Sequence, residues 1–450
     1  MGKLFGTDGI RGIVGNDLTC ELAKKVGRAL VKVVKTKEAS KSEILVGMDT
    51  RASSDDLCEA ICKGIEEMGG IALNIGVCST PAVAFLVKEH RLDAGIMISA
   101  SHNPYNYNGI KIFGSDGFKL SDEKENLIEE MILSNEKKRN SVHKISHEEA
   151  KTEYINYIKG AFGVSLKGMR IAIDCANGSA SVTAEKIFKE LGAQCFMLCD
   201  KPDGTNINKD CGSTHLEPLQ NLVIEKNLDL GIAFDGDADR CIAIDENGQI
   251  IDGDYIMAIL ALRLKSRGLL AKNTIVGTVM TNLGFKKFCE NNDINFLASK
   301  VGDRYVLEML EDGGYSFGGE QSGHLIIRSL ATTGDGQLTA LALLSHIKES
   351  GKSLSALAAI MKKYPQFTIN IEADNDDKKL VYQDEEINKI ITHAKQSLKS
   401  NGRIIIRPSG TEALIRIMVE GEEENSVEEI CRDLSDKIKA RLLELKPTVR

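Results

Sequence analysis

The sequence predicts an α/β protein of several domains closed by a smaller α+β unit, on three observations. Its 450 residues, 42% hydrophobic, suit about three domains of ~150 residues or four smaller ones, enough for several buried cores. One grammar, an apolar β-branched run followed by small or polar turn residues and then a helix, recurs at Glu43–Arg51, Met169–Ser179 and Asn273–Gly284. Strand-then-helix order predicts mainly parallel sheets with right-handed crossovers. Past Tyr364-Pro365 the grammar changes. Gln366–Ala373 alternates like a strand, 385–399 is helical, and Ser426-Val427-Glu428-Glu429 reads as a capping box opening a last helix through Ile430, Leu434, Ile438 and Leu442.

Charge and cysteine usage narrow the function classes. Lys+Arg 57 against Asp+Glu 65 leaves a net charge of −8, so no broad basic face is offered to nucleic acid or an anionic membrane. Any phosphate site must gather its arginines locally. The 11 cysteines are scattered, odd in number and lack a Cys-x-x-Cys pair, which predicts reduced core thiols. The start of the chain lacks an apolar targeting run, and the longest uncharged apolar stretch, near Tyr255–Leu262, stops at Arg263, short of the ~18 residues of a membrane span. The expected location is the cytoplasm, with no nucleic-acid and no membrane partner.

In chain order, Gly6-Thr7-Asp8-Gly9-Ile10-Arg11-Gly12 is a flexible loop bearing Arg11 that fits neither the dinucleotide fingerprint nor the Walker pattern. After the first strand, Leu57, Ile61, Ile65 and Met68 mark a helical face that Ser53 or Ser54 is placed to cap. Ile96-Met97-Ile98 reads as a buried strand broken by Ser99-Ala100-Ser101-His102-Asn103-Pro104, which delivers Ser101 to a strand end. Asn108-Gly109 is a turn signal, and Lys111 follows in a short apolar run, so serine and lysine are expected to share a pocket across a hairpin-like loop. A plain polar turn is the alternative. Joints at 134–153, at Asp252-Gly253-Asp254 and near Tyr364-Pro365 divide the chain into 1–153, 154–253, 254–365 and 366–450.

Leu230–Arg240, LGIAFDGDADR, is a strand ending in carboxylates, and extended spacing puts Asp235, Asp237 and Asp239 on one face. All-oxygen anionic ligation favours a hard cation, above all Mg²⁺. A calcium loop of the EF-hand type has Glu246 at position 12 but meets Arg240 where glycine is required, between strands instead of helices. A solvated hairpin tip is the other alternative. Gly318–His324, GGEQSGH, offers a carboxylate, an amide, a hydroxyl and an imidazole, the inventory that vicinal sugar hydroxyls need. The preceding Gly314-Tyr315-Ser316-Phe317-Gly318 imitates a hydrolase nucleophile elbow without its strand-before, helix-after context. Arg407, Ser409, Gly410 and Thr411, with Arg416 on the returning strand, make either a compact phosphate clamp or a surface turn.

With these four motifs in this order over nearly its whole length, the chain resembles the α-D-phosphohexomutase superfamily. The resemblance implies three related α/β domains with mixed sheets and a C-terminal α+β domain around a central cleft. It implies that Ser101 is the phosphorylated serine, that Asp235, Asp237 and Asp239 with a phosphoserine oxygen bind Mg²⁺, and that Arg11, His102 and Lys111 complete the catalytic group. Arg240, Glu320, Ser322, Arg407, Ser409, Gly410, Thr411 and Arg416 would bind substrate. Two departures stand out: Ala238, whose methyl would narrow the metal loop, and Ala413, whose lack of a proline ring would loosen the phosphate loop.

The implied activity is an isomerase's, phosphoryl transfer between the 6- and 1-positions of a sugar phosphate through glucosamine 1,6-bisphosphate, which also serves as activator. Gln321 and the whole-chain likeness favour an amino sugar, glucose or mannose phosphates being the alternative. A metal-dependent sugar phosphatase built on Ser101-His102 and a non-catalytic sugar-phosphate binder are more distant readings. The implied assembly is a homodimer.

Overall fold

The computed structural model describes residues 4–6, 8–34, 41–132, 147–398, 402–408 and 413–445. It falls into two units: residues 1–281 with 289–360, and residues 282–288 with 361–450.

Three sheets occupy the first unit, and each couples a parallel part to an antiparallel hairpin. In the first, Glu43–Met48 runs parallel to Ile71–Val77 and to Ala94–Ile98, which then pairs antiparallel with Tyr107–Gly114. In the second, Arg170–Asp174 is parallel to Gln194–Leu198 and to Leu230–Phe234, which returns antiparallel as Cys241–Asp245. In the third, Thr274–Thr278 is parallel to Asn295–Ser299 and to Phe317–Gly319, which returns antiparallel as Leu325–Ile327. The expectation of mainly parallel sheets is therefore corrected to mixed ones. The returning strands follow after a short turn with no helix, and only an antiparallel partner can be reached that way.

This shared plan positions the site. The serine loop, the aspartate loop and the Glu320 loop are the hairpin turns at the carboxyl ends of the last parallel strands, where each sheet changes from parallel to antiparallel. Those strands are buried throughout, as AGIMI, LGIAF and FGG require when both faces of a sheet are covered.

The second unit is the predicted α+β domain. Gln366–Glu372, Leu414–Glu420 and Arg403–Pro408 form an antiparallel sheet covered by helices Glu385–Ser397 and Glu424–Leu445 around Ile387, Ile415, Ile417, Cys431, Leu434 and Ile438. Of the segment read as a phosphate clamp, Arg407 and Arg416 lie on paired antiparallel strands, while Ser409, Gly410 and Thr411 lie outside the described residues.

Local signals misled at four places. Ser53 holds the N-cap position of Ser54–Glu67 but in a helical conformation that makes no side-chain cap bond. The hydroxyl of Ser54 instead donates to Asp49 at 3.0 Å. Asn108-Gly109 lies inside a strand: the Asn108 amide donates to Ser53 Oγ at 2.9 Å, and the turn falls earlier, over 99–106. The last helix begins at Glu424, so Ser426 is already within it. Of the joint at 134–153, residues 147–153 belong to helix His147–Gly160.

Candidate active site

Ser101 stands at the end of strand Ala94–Ile98 with a left-handed backbone, φ 53°, a conformation non-glycine residues adopt only where surrounding contacts impose it. Those contacts are visible. Its carbonyl oxygen accepts from Arg51 Nη2 at 2.9 Å and from Asn208 Nδ2 at 2.9 Å, and its N–H donates to Ser99 Oγ at 2.9 Å. Arg51 also donates to the carbonyls of Asn103 and Tyr107, at 2.9 and 3.0 Å, and to that of Pro104, while Asp49 Oδ2 balances its charge at 2.8 Å. One fully buried guanidinium thus organises the whole serine turn.

The Ser101 hydroxyl donates to Asp235 Oδ2 at 2.6 Å and lies 3.4 Å from His102 Nδ1. Gly236 permits the approach, since a Cβ there would stand 2.5 Å from the Ser101 carbonyl oxygen. The aspartates do converge, but not as an extended strand. The chain turns through 235–238, closed by Ala238 N–H to the Asp235 carbonyl at 3.1 Å, and Ala238 takes φ 58°. A positive φ is one that glycine adopts freely and alanine does not, so the Ala238 methyl strains the backbone more than it narrows the loop.

Asp235, Asp237 and Asp239 are buried and present oxygens within 4.8 Å of one another. Asp237 Oδ1 and Asp239 Oδ1 have no hydrogen-bond partner, an arrangement costly for buried carboxylates and suited to a hard cation. Their other oxygens receive Lys111 Nζ at 2.7 and 3.2 Å, and Asp237 Oδ2 also accepts from Thr80 Oγ1 at 2.5 Å. Lys111 reaches Asp8 Oδ2 at 3.1 Å, and Asp8 in turn pairs with Arg11 and Lys119.

Burial opposes charge on Lys111, Asp239, Asp8, Asp235 and His102, and their neighbours set the direction of each shift. Asp237, Asp239 and Asp8 hold Lys111 well above the ordinary lysine range despite its burial. Lys111 and His324 hold Asp239 well below the usual carboxylate range, and Lys111, Lys119 and Arg11 do the same for Asp8. Asp235 is driven well above it by burial and by Asp239 and Asp237. Burial, with Arg240 and Arg11, lowers His102 to about 3, so its imidazole is neutral.

Arg240 lies 3.9 Å from both Asp235 and Asp239. Glu320 and Ser322 occupy the turn 320–323, which docks on the chain at Gly253, where a Cβ would meet the Glu320 carbonyl at 2.1 Å. Glu320 Oε1 accepts from Gly302 N–H at 3.0 Å. Gln321, expected to face the sugar, donates its amide to Asp252 Oδ2 at 3.3 Å. In the second unit, Arg407 and Arg416 are directly opposed on antiparallel strands and so share one face of the sheet.

Ser101, His102, Lys111, Arg11, Arg240 and the three aspartates are thus gathered around one point. Sequence reasoning missed Asp8, Asp49, Arg51, Thr80, Lys119 and Asn208, and named the His324 imidazole only as part of the sugar-loop inventory. The usable signal was position: Asp49-Thr50-Arg51 and Thr80 follow the carboxyl ends of parallel strands, where sites of α/β sheets gather. His324 accepts from Gly334 N–H through Nε2 at 3.1 Å, which leaves the ring proton on Nδ1, facing Asp239 at 3.6 Å.

Models of the phosphoglucomutase/phosphomannomutase family match four stretches: alpha/beta/alpha domains I, II and III over residues 2–139, 152–248 and 252–364, and the C-terminal domain over 369–437. A phosphoglucosamine mutase of Caldicellulosiruptor saccharolyticus is 50% identical over 449 residues, spanning 98% of this chain and 100% of the relative. One from Clostridium acetobutylicum is 49% identical over 447 residues, with the same shares. A solved phosphoglucomutase/phosphomannomutase family protein from Burkholderia thailandensis is similar with a TM-score of 0.80 at 22% identity, over 98% of each chain. Aspergillus fumigatus N-acetylphosphoglucosamine mutase, solved with GlcNAc-6P and magnesium, gives 0.68 at 16% identity, over 97% of this chain and 95% of that one. These two structures share the four-domain fold.

Proposed function

The chain belongs to the phosphoglucomutase/phosphomannomutase family, and from that premise we propose that it works as a phosphoglucosamine mutase through a phosphoserine at Ser101. The reaction interconverts glucosamine 6-phosphate and glucosamine 1-phosphate by way of glucosamine 1,6-bisphosphate. Its product would feed UDP-N-acetylglucosamine and cell-wall synthesis. The observation that carries the mechanism is the 2.6 Å contact of Ser101 Oγ with Asp235, at the edge of three buried carboxylates of which two keep an unpartnered oxygen.

A phosphoryl group on Ser101 brings about −1.5 to −2 charges to that edge. Asp235, Asp237 and Asp239 would hold Mg²⁺, which would supply charge neutralisation and Lewis acidity beside the serine oxygen. Arg11, Arg240 and Lys111 surround the same point with cationic donors suited to phosphoryl oxygens. Lys111 keeps its proton while carboxylates surround it; neutralising Asp237 and Asp239 would lower its hold on that proton, so that it could release it to solvent and the free amine could then take the sugar hydroxyl's proton. His102, neutral beside the hydroxyl, orients it without adding charge.

Glu320 and Ser322 would read the ring hydroxyls. Arg407, Ser409, Gly410, Thr411 and Arg416 would hold whichever phosphate is not being transferred, since such a clamp reads the group and not its position on the ring. Arg407 and Arg416, directly opposed on paired strands, would present two guanidiniums to such a phosphate from one face of the sheet. Domains bounded at 1–153, 154–253, 254–365 and 366–450, a homodimer and a cytoplasmic location complete the reading. Its support for the last is that no helix among the described residues is long and apolar enough to cross a membrane, and all cysteines are free.

The substrate is tested by assaying glucosamine, glucose and mannose 6-phosphates side by side, each with a catalytic amount of its bisphosphate. Glucosamine 6-phosphate should have the highest kcat/KM, with incomplete discrimination because most contacts are common to all three. Equal efficiency, or a preference for mannose, would move the assignment to a phosphoglucomutase or phosphomannomutase.

A further inference from the structure

Outside the serine site, one cluster joins two thiols to a carboxylate. Asp174 closes strand Arg170–Asp174, Cys199 follows strand Gln194–Leu198, and Cys211 opens the short helix Gly212–Thr214. One oxygen of Asp174 and the two Sγ atoms lie within 4.8 Å of one another. A tetrahedral zinc ion asks for about 3.5–3.8 Å between such donors, within reach of side-chain rotation. We infer that Asp174, Cys199 and Cys211 form a second metal site, selective for a thiophilic divalent ion such as Zn²⁺ and separate from the aspartate triad.

The carboxylate is held ready. Asp174 Oδ1 accepts from Ala176 N–H and Oδ2 from Gly212 N–H, both at 2.8 Å, the kind of backbone support that orients a ligating carboxylate. Asp174 and Cys211 are fully buried, whereas Cys199 is only partly so and leaves an approach from solvent. As two metal–sulfur bonds form, two thiol protons leave to solvent. Sulfur donors prefer zinc to magnesium, so the two sites fill independently.

The position gives the site a consequence. The loop from Cys199 to Cys211 carries Asn208, whose amide holds the Ser101 and Asn103 carbonyls at 2.9 and 3.1 Å. Joining the loop's two ends through a metal would therefore brace the serine turn from behind.

The test uses the full chain in excess Mg²⁺ with one equivalent of Co²⁺ as a spectroscopic probe. Wild type and Asp237→Ala should both show the near-ultraviolet thiolate-to-cobalt band, and Cys199→Ser and Cys211→Ser should both lose it. Zn²⁺ should raise Tm by at least about 2 °C in wild type and leave Cys199→Ser unmoved. Should Cys211→Ser fail to fold, the partly buried Cys199→Ser carries the test alone. Absence of the band in wild type, its persistence in Cys199→Ser, or two thiols missing from the 11 in denatured, anaerobically purified protein would each overturn the site.

Discussion

The buried guanidinium of Arg51 donates to the carbonyl oxygen of Ser101 at 2.9 Å. Through that bond and its contacts to Asn103, Pro104 and Tyr107, Arg51 holds the serine in its left-handed conformation with the hydroxyl aimed at Asp235. It is a positioning residue fifty positions away in sequence. Arg51→Lys keeps the charge but loses the planar fork that reaches several carbonyls at once. It should lower kcat by about 10²-fold while changing KM little, because misplacing the reacting hydroxyl costs rate before binding. Wild-type kcat in the lysine variant would show that the turn holds itself.

Asp237→Asn leaves the triad with one fewer anionic ligand and takes from Lys111 its closest counter-charge, at 2.7 Å. Turnover should fall by at least about 10³-fold, and Mg²⁺ that rescues chelator-treated wild type should not rescue the variant. A titration with Mg²⁺ reads both effects. Full activity of wild type in metal-free buffer would remove the metal from the mechanism.

Ala238 occupies a left-handed position, φ 58°, while fully buried. Ala238→Gly relieves strain but vacates a methyl group, so its stability should stay within about 1 kcal/mol of wild type. Ala238→Val puts a β-branched side chain at a fully buried position of positive φ, and should cost at least about 2 kcal/mol. Urea midpoints compare the pair, and a valine variant as stable as wild type would contradict the turn geometry.

Asp335 caps helix Gly336–Ser350 through Leu338 N–H at 2.9 Å and accepts the Tyr154 hydroxyl at 3.0 Å. Burial, chiefly, raises it to about 7 against 3.8 for an ordinary aspartate. A carboxyl raised on folding binds its proton more tightly in the native state, so it contributes stability below pH ~4 that is lost as pH rises through ~7. Asp335→Asn keeps a capping oxygen and cannot ionise. Its stability relative to wild type should improve by up to about 4 kcal/mol between pH ~4 and ~8. A difference independent of pH, read from urea unfolding, would place the Asp335 ionisation elsewhere.

How much was legible in the sequence follows from how far apart the partners lie. Ser101, the three aspartates and Glu320 sit on single hairpin turns, where a few consecutive residues carry the proposed chemistry. Arg51, Thr80 and Asn208 act across 50, 157 and 107 residues, and no local pattern encodes such a contact. Asn108-Gly109 was misleading because pairing of Asn108 with Gly12 and of Gly109 with Arg11 outweighs the turn preference of the dipeptide. The convergence of Asp235, Asp237 and Asp239 was foreseen for the wrong reason: alternation places side chains on one face, but a turn with a left-handed residue brings them to one point.

The central claim, that Ser101 shuttles a phosphoryl group, is tested most directly by intact mass. The protein is loaded with glucosamine 1,6-bisphosphate, freed of ligand, weighed and mapped, then weighed again after excess glucosamine 6-phosphate. One phosphate, about 80 Da, should appear on Ser101, fall away with formation of bisphosphate, and never appear on Ser101→Ala. A phosphate that maps to another residue, or turnover by a chain that never carries one, would contradict the account.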